Sequence, residues 1–480
     1  MACAPVGRIA APFRGSAAIR RRRRERAPPP CGGGAKAVKA AFRGDPTFPD
    51  ASRRFEASGP NDTTVRSPVP PGTETIRCQR VTWLRREIDP GINAADELVT
   101  DSLPAASLPA FHVDGDRRDL RLDACRGLAL WFIFLDHIPD TALGWLTLRS
   151  YGFSDTTEVF FFVSGYTCML AYGGSLRERG WRETVVRALR RGWEIYAAFL
   201  LLMIAYLAAV QAAGGGSLFL DQTNTAVFFA HPAAAIVHIV LLQYTPFNTD
   251  VLPSFVLLHL AFPAVLWLMT RSAPLALAAS FLLYLLTRAF DWDLPSWPSG
   301  QWYFNPLAWQ LLFVLGAFYA CAGAGRLRSF VQSRAAFLLA VLYLAFALAV
   351  ALSWQFKWLE GFIPDSLAKL IYPIDKSSLS PLRVVHFLSL AVVVSRLTPP
   401  DWHGPMRPLM MALIRCGENS LAIYCLGVLL SFIGYVILVE FSAGIAVQAA
   451  VGIAGVALMI AAATLLTAAA KLGRRGPELF

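Results

Sequence analysis

Eleven apolar segments between residues 124 and 470 constrain this 480-residue chain more than any other feature. They run roughly over 124–138, 156–173, 194–213, 227–243, 252–270, 274–290, 307–322, 335–353, 382–397, 418–440 and 445–470. Most approach or exceed the ~20 residues with which a helix crosses a hydrocarbon core. With 55% apolar residues and a mean hydropathy of +0.47, the chain is predicted to be an all-α polytopic membrane protein.

Basic residues orient the segments, because cytoplasmic loops carry an excess of Lys and Arg. Arg117, Arg118 and Arg121 place the amino end of the first segment inside. The loop with Arg177, Arg179, Arg182, Arg187, Arg190 and Arg191 is also inside. So are Arg326 and Arg328, the Arg396–Arg415 connection, and Lys471, Arg474 and Arg475. Five segments lie between Arg191 and Arg326, yet two inside ends require an even number of crossings. Segment 227–243 is the weakest, being interrupted by His231-Pro232 and carrying His238 and Gln243. It is expected to be a re-entrant or half-depth helix on the outer side, where irregular backbone is tolerated against protein or a wet cavity. About ten transmembrane helices remain, with both termini cytoplasmic.

Residues 1–110 have a different composition. They are rich in Pro, Gly, Ala and Arg, with the runs Arg20–Arg24 and Pro28–Pro30, and they contribute +7 of the net charge of +11. They lack the apolar stretch of a secretory signal and are expected to form a disordered cytoplasmic tail. Retention on the cytoplasmic side accounts for this charge better than nucleic-acid binding. Residues 111–475 then form the membrane domain. The eight Cys are scattered, without a C-x-x-C pair or metal-ligand spacing, so no metal or permanently bound cofactor is expected.

The first segment carries the most informative polar residues, Asp123, Arg126, Asp136 and His137. Arg126 and His137 are eleven residues apart, which on a helix returns to the same face within about 20°. Asp123 is three residues before Arg126 and placed to pair with it. Along the axis the two basic groups are about 16 Å apart, so an Arg126 near the inner surface puts His137 near mid-depth. An ionisable group there is costly and points to function. Two plainer readings stand beside this one: Arg126 as an inside anchor with Asp123 as its surface partner, and His137 as the helix end before Pro139.

On this topology several polar clusters share the outer half: Ser154, Asp155 and Glu158; Asp250; Asn305, Trp309 and Gln310; Lys376, Arg383 and His386. Asp155 and Glu158 also suit a helix N-terminus, and Trp309 also suits an interfacial position. The inner side is basic and suited to an anionic nucleotide-bearing donor. The outer side mixes carboxylates, amides and aromatics and suits a sugar acceptor. A histidine between them is placed to take a proton from a hydroxyl as it attacks a thioester, with Asp136 or Glu158 orienting the ring.

The spacing Arg126-x10-His137 resembles the first span of the transmembrane acyltransferase superfamily. More closely, several motifs resemble the OpgC family. They are Arg121-Leu-Asp123-x-x-Arg126, Asp136-His137-Ile-Pro139, Phe153-Ser154-Asp155-x-x-Glu158, Ser164-Gly165-Tyr166, Asn305-Pro306-x-x-Trp309-Gln310 and Asp375-Lys376. The likeness covers about 117–440, within the membrane domain. It implies a ten-span bundle in a bacterial inner membrane, succinyl-CoA as acyl-CoA co-substrate and a periplasmic glucan hydroxyl as acceptor. It also implies His137 as base and Arg126 as donor-binding group, while Asp123 is assigned to the donor side by its position beside Arg126. The competing class is a transporter or flippase for a glycan or lipid-linked sugar with His137 as proton relay. Only the acyltransferase releases free CoA.

Overall fold

The computed structural model describes residues 120–473, apart from 215, 322–324, 357–358, 360–363 and 399–406. The expected disordered tail, 1–110, lies outside the described residues. Helix α1 (Leu120–Asp136) is 17 residues long and stops just before Pro139, whose ring disfavours further helix. Two 3-10 turns, Ala142–Leu146 and Leu148–Ser150, follow it. Helix α2 (Thr156–Ala212) is continuous over 57 residues except at Gly180, where φ is +80° and ψ −178°. A side chain there would be strained, so the glycine divides α2 into two rods. Three short helices come next, α3 (Ser217–Thr223), α4 (Ala226–Ala230) and α5 (Pro232–Val240).

Helix α6 (Val251–Phe290) has its own break at Ser272, with φ −160° and ψ 104°. Pro274 cannot donate to the preceding turn, and the Leu275 N–H donates instead to Ser272 Oγ at 3.3 Å, which caps the second rod. The remaining helices are α7 (Pro306–Ala320), α8 (Gly325–Val331), α9 (Arg334–Gln355), α10 (Asp365–Ile371), α11 (Pro381–Leu397), α12 (Arg407–Glu418), α13 (Ser420–Glu440) and α14 (Ile445–Gly473). Among the described residues there is no strand beyond an isolated Pro295–Gln301 bridge.

Five helices are long and apolar enough to cross a membrane: α2, α6, α9, α13 and α14. The expected arginine loop between segments 156–173 and 194–213 is instead helical on both sides of a one-residue break at Gly180. Segments 252–270 and 274–290 are likewise joined in α6. The weak segment 227–243 is broken into α4 and α5 at His231.

Two helix pairs touch backbone to backbone. A Cβ added to Gly165 of α2 would stand 1.7 Å from the Phe313 carbonyl oxygen of α7, and one on Gly316 would stand 2.0 Å from the Phe162 oxygen. Between α1 and α12 the same reciprocity holds for Gly127 with Leu413 at 2.0 Å and Gly417 with Asp123 at 1.9 Å. Small residues bring helices together in lipid, where there is little hydrophobic drive between them. Beside the first contact, Trp309 is fully buried, with Phe161 at 4.7 Å and Phe304 at 5.2 Å between ring centroids.

Candidate active site

The N-terminus of α2 is a capping box. Asp155 accepts from the Thr157 N–H at 2.8 Å, and Glu158 accepts from the Asp155 N–H at 3.0 Å. These carboxylates also meet two cations from distant segments. Arg383 of α11 donates Nε to Glu158 Oε1 at 2.7 Å and lies 3.2 Å from Asp155 Oδ2. Lys376 Nζ reaches the same Asp155 oxygen at 2.7 Å. Glu158 is 0% exposed and Arg383 is also buried, so this charge is removed from water with its partners in place. Burial raises the Asp155 carboxyl, but Lys376 and Arg383 outweigh it and hold the group well below the usual carboxylate range. For Lys376, burial works downward and Asp155 more than offsets it, so the ammonium is held above its ordinary value.

The turn carrying Lys376 is tied from several sides. Asp375 accepts from the N–H groups of Ser377 and Ser378, each at 2.9 Å. Trp309 Nε1 donates to the carbonyls of Lys376 and Ser377 at 3.1 and 3.0 Å. The Asn305 N–H donates to the Ser377 carbonyl at 3.2 Å, while its side chain caps α7 through the Leu307 N–H at 3.0 Å. Gln310 accepts from Ser280 Oγ at 2.6 Å and joins α7 to α6. Asn305, Trp309 and Gln310 thus sit inside the packing that supports the site. Next to the box, Ser154 Oγ and His386 Nδ1 are 2.6 Å apart and both residues are buried. Gly152 leaves room for that ring: an added Cβ would lie 2.0 Å from His386 Nε2.

His137 stands at the exit of α1, its N–H donating to the Ile133 carbonyl at 3.0 Å. Its own carbonyl accepts from Asn248 Nδ2 at 3.5 Å, and the Asn248 carbonyl accepts from Tyr424 at 2.7 Å. His137 Nδ1 is buried without a hydrogen-bond partner. Lys376, Asp155 and Arg149 are close enough to act on the charge of the ring. The expectation that Asp136 or Glu158 orients the ring is not met by a contact. Thr147 donates to Asp136 Oδ1 at 2.6 Å, and Glu158 is taken by Arg383. Asp250, before α6, makes no side-chain cap, and Lys376 acts on its charge as well.

Arg126 lies two turns inside α1 rather than at its start. Its guanidinium donates to Thr167 Oγ1 and, at 3.5 Å, to the Val163 carbonyl of α2. Asp123 is 3.9 Å away, the looser of these contacts. Sequence reasoning missed Thr147, Arg149 and Tyr424, whose polar atoms hold Asp136 and Asn248. Nothing in their own spacing marks them. Gly152 was also missed, although its position two residues before Ser154 was a usable signal. Among the described residues no group of three or more His, Cys, Asp or Glu is gathered as metal ligands.

The apolar helices and this charged site define the class, a polytopic helical membrane protein with ionisable residues gathered between its helices. Residues 118–471 match the family model described as OpgC protein, about three quarters of the chain, and the chain belongs to the OpgC family. Membership and the apolar helices together fit a membrane acyltransferase. No curated protein and no solved structure gives a significant match.

Proposed function

We propose that this protein is an integral membrane O-acyltransferase that moves a succinyl group from cytoplasmic succinyl-CoA to a hydroxyl of a periplasmic glucan. One observation carries the reading: a histidine at the end of α1 has no hydrogen-bond partner at its buried Nδ1 and lies within electrostatic reach of the Lys376–Asp155 ion pair. A base that serves a substrate hydroxyl needs a ring free to meet it. In the reaction, His137 takes the acceptor proton and the hydroxyl oxygen attacks the thioester carbon. The carbonyl electrons move to oxygen, then return as the C–S bond breaks. The departing thiolate takes the proton from the imidazolium and leaves as free CoA. Arg126 holds the phosphate-bearing donor, for which a guanidinium is suited.

The family supports a bacterial inner-membrane location, and the parity of basic loops supports ten crossings with both termini cytoplasmic. They are α1, two rods each of α2 and α6, α7, α9, α11, α13 and α14. The short helices over 217–240 then stay in the outer half. Asp155, Ser154, Asp250, Lys376, Arg383 and His386 form the acceptor side, supported from behind by Asn305, Trp309 and Gln310.

The reading is tested with purified protein in nanodiscs, given succinyl-CoA and a glucan. Free thiol and glucan mass are followed together. The expected result is equimolar CoA release and glucan succinylation, both lost in His137→Ala. Glucan movement across vesicles without thioester consumption would assign the protein to transport instead.

A further inference from the structure

Acyl transfer from a thioester needs a donor for the developing oxyanion as well as a base, and such donors work best when fixed in advance. Two cations, Lys376 and Arg149, act on the His137 ring, and Arg383 stands behind Asp155. Arg383 has its guanidinium committed to two carboxylates. Arg149 is exposed in the second 3-10 turn and donates to the Asp136 carbonyl at 3.2 Å. Lys376 differs from both. Its backbone turn is fixed by Trp309, Asn305 and Asp375, while its side chain remains 27% exposed. Asp155 is its single ion-pair partner among the described residues, so the ammonium, with three N–H groups, keeps donors to spare. The ammonium also lies over the rings of Phe304 and Tyr303, at 5.4 and 5.8 Å from their centroids.

The position of this charge is central. The ammonium meets Asp155 before α2 and the Tyr303 and Phe304 rings before α7, and its charge reaches His137 and Asp136 at the end of α1 and Asp250 before α6. Segments that are remote in sequence therefore converge on one ammonium.

We propose that Lys376 is the catalytic electrophile of the site: its ammonium receives the thioester carbonyl oxygen as it becomes an oxyanion, opposite the hydroxyl that His137 deprotonates. Asp155, with Arg383 behind it, is a positioning residue that aims the ammonium and keeps it charged. This inference rests on the acyltransferase reading. Its balance is that of the reaction above: the electron pair that moves onto the carbonyl oxygen is stabilised by Lys376 and returns on loss of the thiolate, with no proton passing through the lysine.

The test compares the parent, Lys376→Met, Lys376→Arg and Lys376→Met/Asp155→Asn in nanodiscs, measuring kcat and KM for succinyl-CoA and for glucan. Removing an oxyanion donor is expected to lower kcat by about 10²–10³-fold. Both KM values should stay within about threefold, because such an interaction forms only in the transition state. Lys376→Arg should recover part of kcat, since it keeps the charge but shifts its position. The double variant leaves no carboxylate stranded. It should melt close to the parent and show the same loss of kcat, which separates catalysis from folding. A raised KM for glucan with kcat within threefold would leave Lys376 with acceptor binding alone and overturn the proposal. So would a double variant that recovers kcat. No transfer by the parent itself would overturn the acyltransferase reading and this inference with it, whereas an active parent with an indifferent Lys376 removes only the latter.

Discussion

Arg383 and Glu158 are 225 residues apart in the chain, yet Nη2 of the arginine stands 2.6 Å from Oε1 of the glutamate with both side chains out of water. Removing one member leaves a buried charge alone. Arg383→Met should destabilise the protein by about 3–5 kcal/mol. Arg383→Met/Glu158→Gln should recover a large part of that loss. Thermal unfolding in detergent across the double-mutant cycle checks this, and additive losses would show that the two residues do not act as a pair.

Asp155 sets an acid limit on stability. Its carboxyl is held below its ordinary value by Lys376 and Arg383 against the upward effect of burial. A depressed folded-state pKa contributes stability that is fully present above the unfolded value, about 3.9, and is lost as pH falls toward the folded value. The gap in melting temperature between the parent and Asp155→Asn should therefore be flat from pH 8 to about pH 5 and narrow below about pH 4. A gap that persists unchanged at pH 3 would contradict this coupling.

The glycine contacts predict a contrast within one helix. Gly165→Ala places a methyl 1.7 Å from the Phe313 carbonyl, whereas Gly174→Ala meets nothing within 4 Å. The first should cost about 1–3 kcal/mol or more, because a backbone carbonyl has to move. The second should be neutral or stabilising by up to about 1 kcal/mol through helix propensity. Melting of the two variants side by side decides the matter.

Gly152→Ala reaches the site from behind. The new methyl would displace the His386 ring and with it the 2.6 Å contact to Ser154, next to Asp155. Displacements of about 1 Å can cost about 10²-fold in rate, and a loss of that order in kcat is expected here. Affinity for succinyl-CoA should stay near the parental value in calorimetry. An unchanged kcat would mean that the 152–155 turn tolerates the shift.

Arg126 carries the donor side of the proposal. Arg126→Ala should weaken succinyl-CoA binding at least tenfold by calorimetry, and Arg126→Lys should restore only part of it. The Arg126→Ala/Asp123→Asn variant controls for the carboxylate 3.9 Å away. Parental affinity in Arg126→Ala would end the division of labour between this residue and His137.

Much of the site's membership was legible in the sequence, because charges stand out against apolar segments. Ser154, Asp155, Glu158, Lys376, Arg383 and His386 were all selected as outer-side polar residues, and the structure brings them together. Their pairing was not legible. It depends on how α11 meets the start of α2, which hydropathy does not encode. Trp309 shows the same limit: as a sequence signal it equals an interfacial aromatic, and only the fold shows its indole tied to the 376–377 carbonyls. The continuity of α2 escaped because a charged stretch reads as a loop, whereas one glycine at φ +80° supplies the bend.

That bend also turns the first rod of α2 into a gauge of bilayer thickness. Between Thr156 and Gly180 the helix rises about 36 Å, against a hydrocarbon core of about 30 Å. A rod longer than the apolar slab can tilt or seat its charged ends among the headgroups. In thick, sterol-like or long-chain lipids, mismatch would draw the charged end inward, and in thin lipids it would lift that end toward the headgroups. The depth of Asp155, and with it of the charged cluster at the start of α2, is therefore sensitive to acyl-chain length in the surrounding lipid.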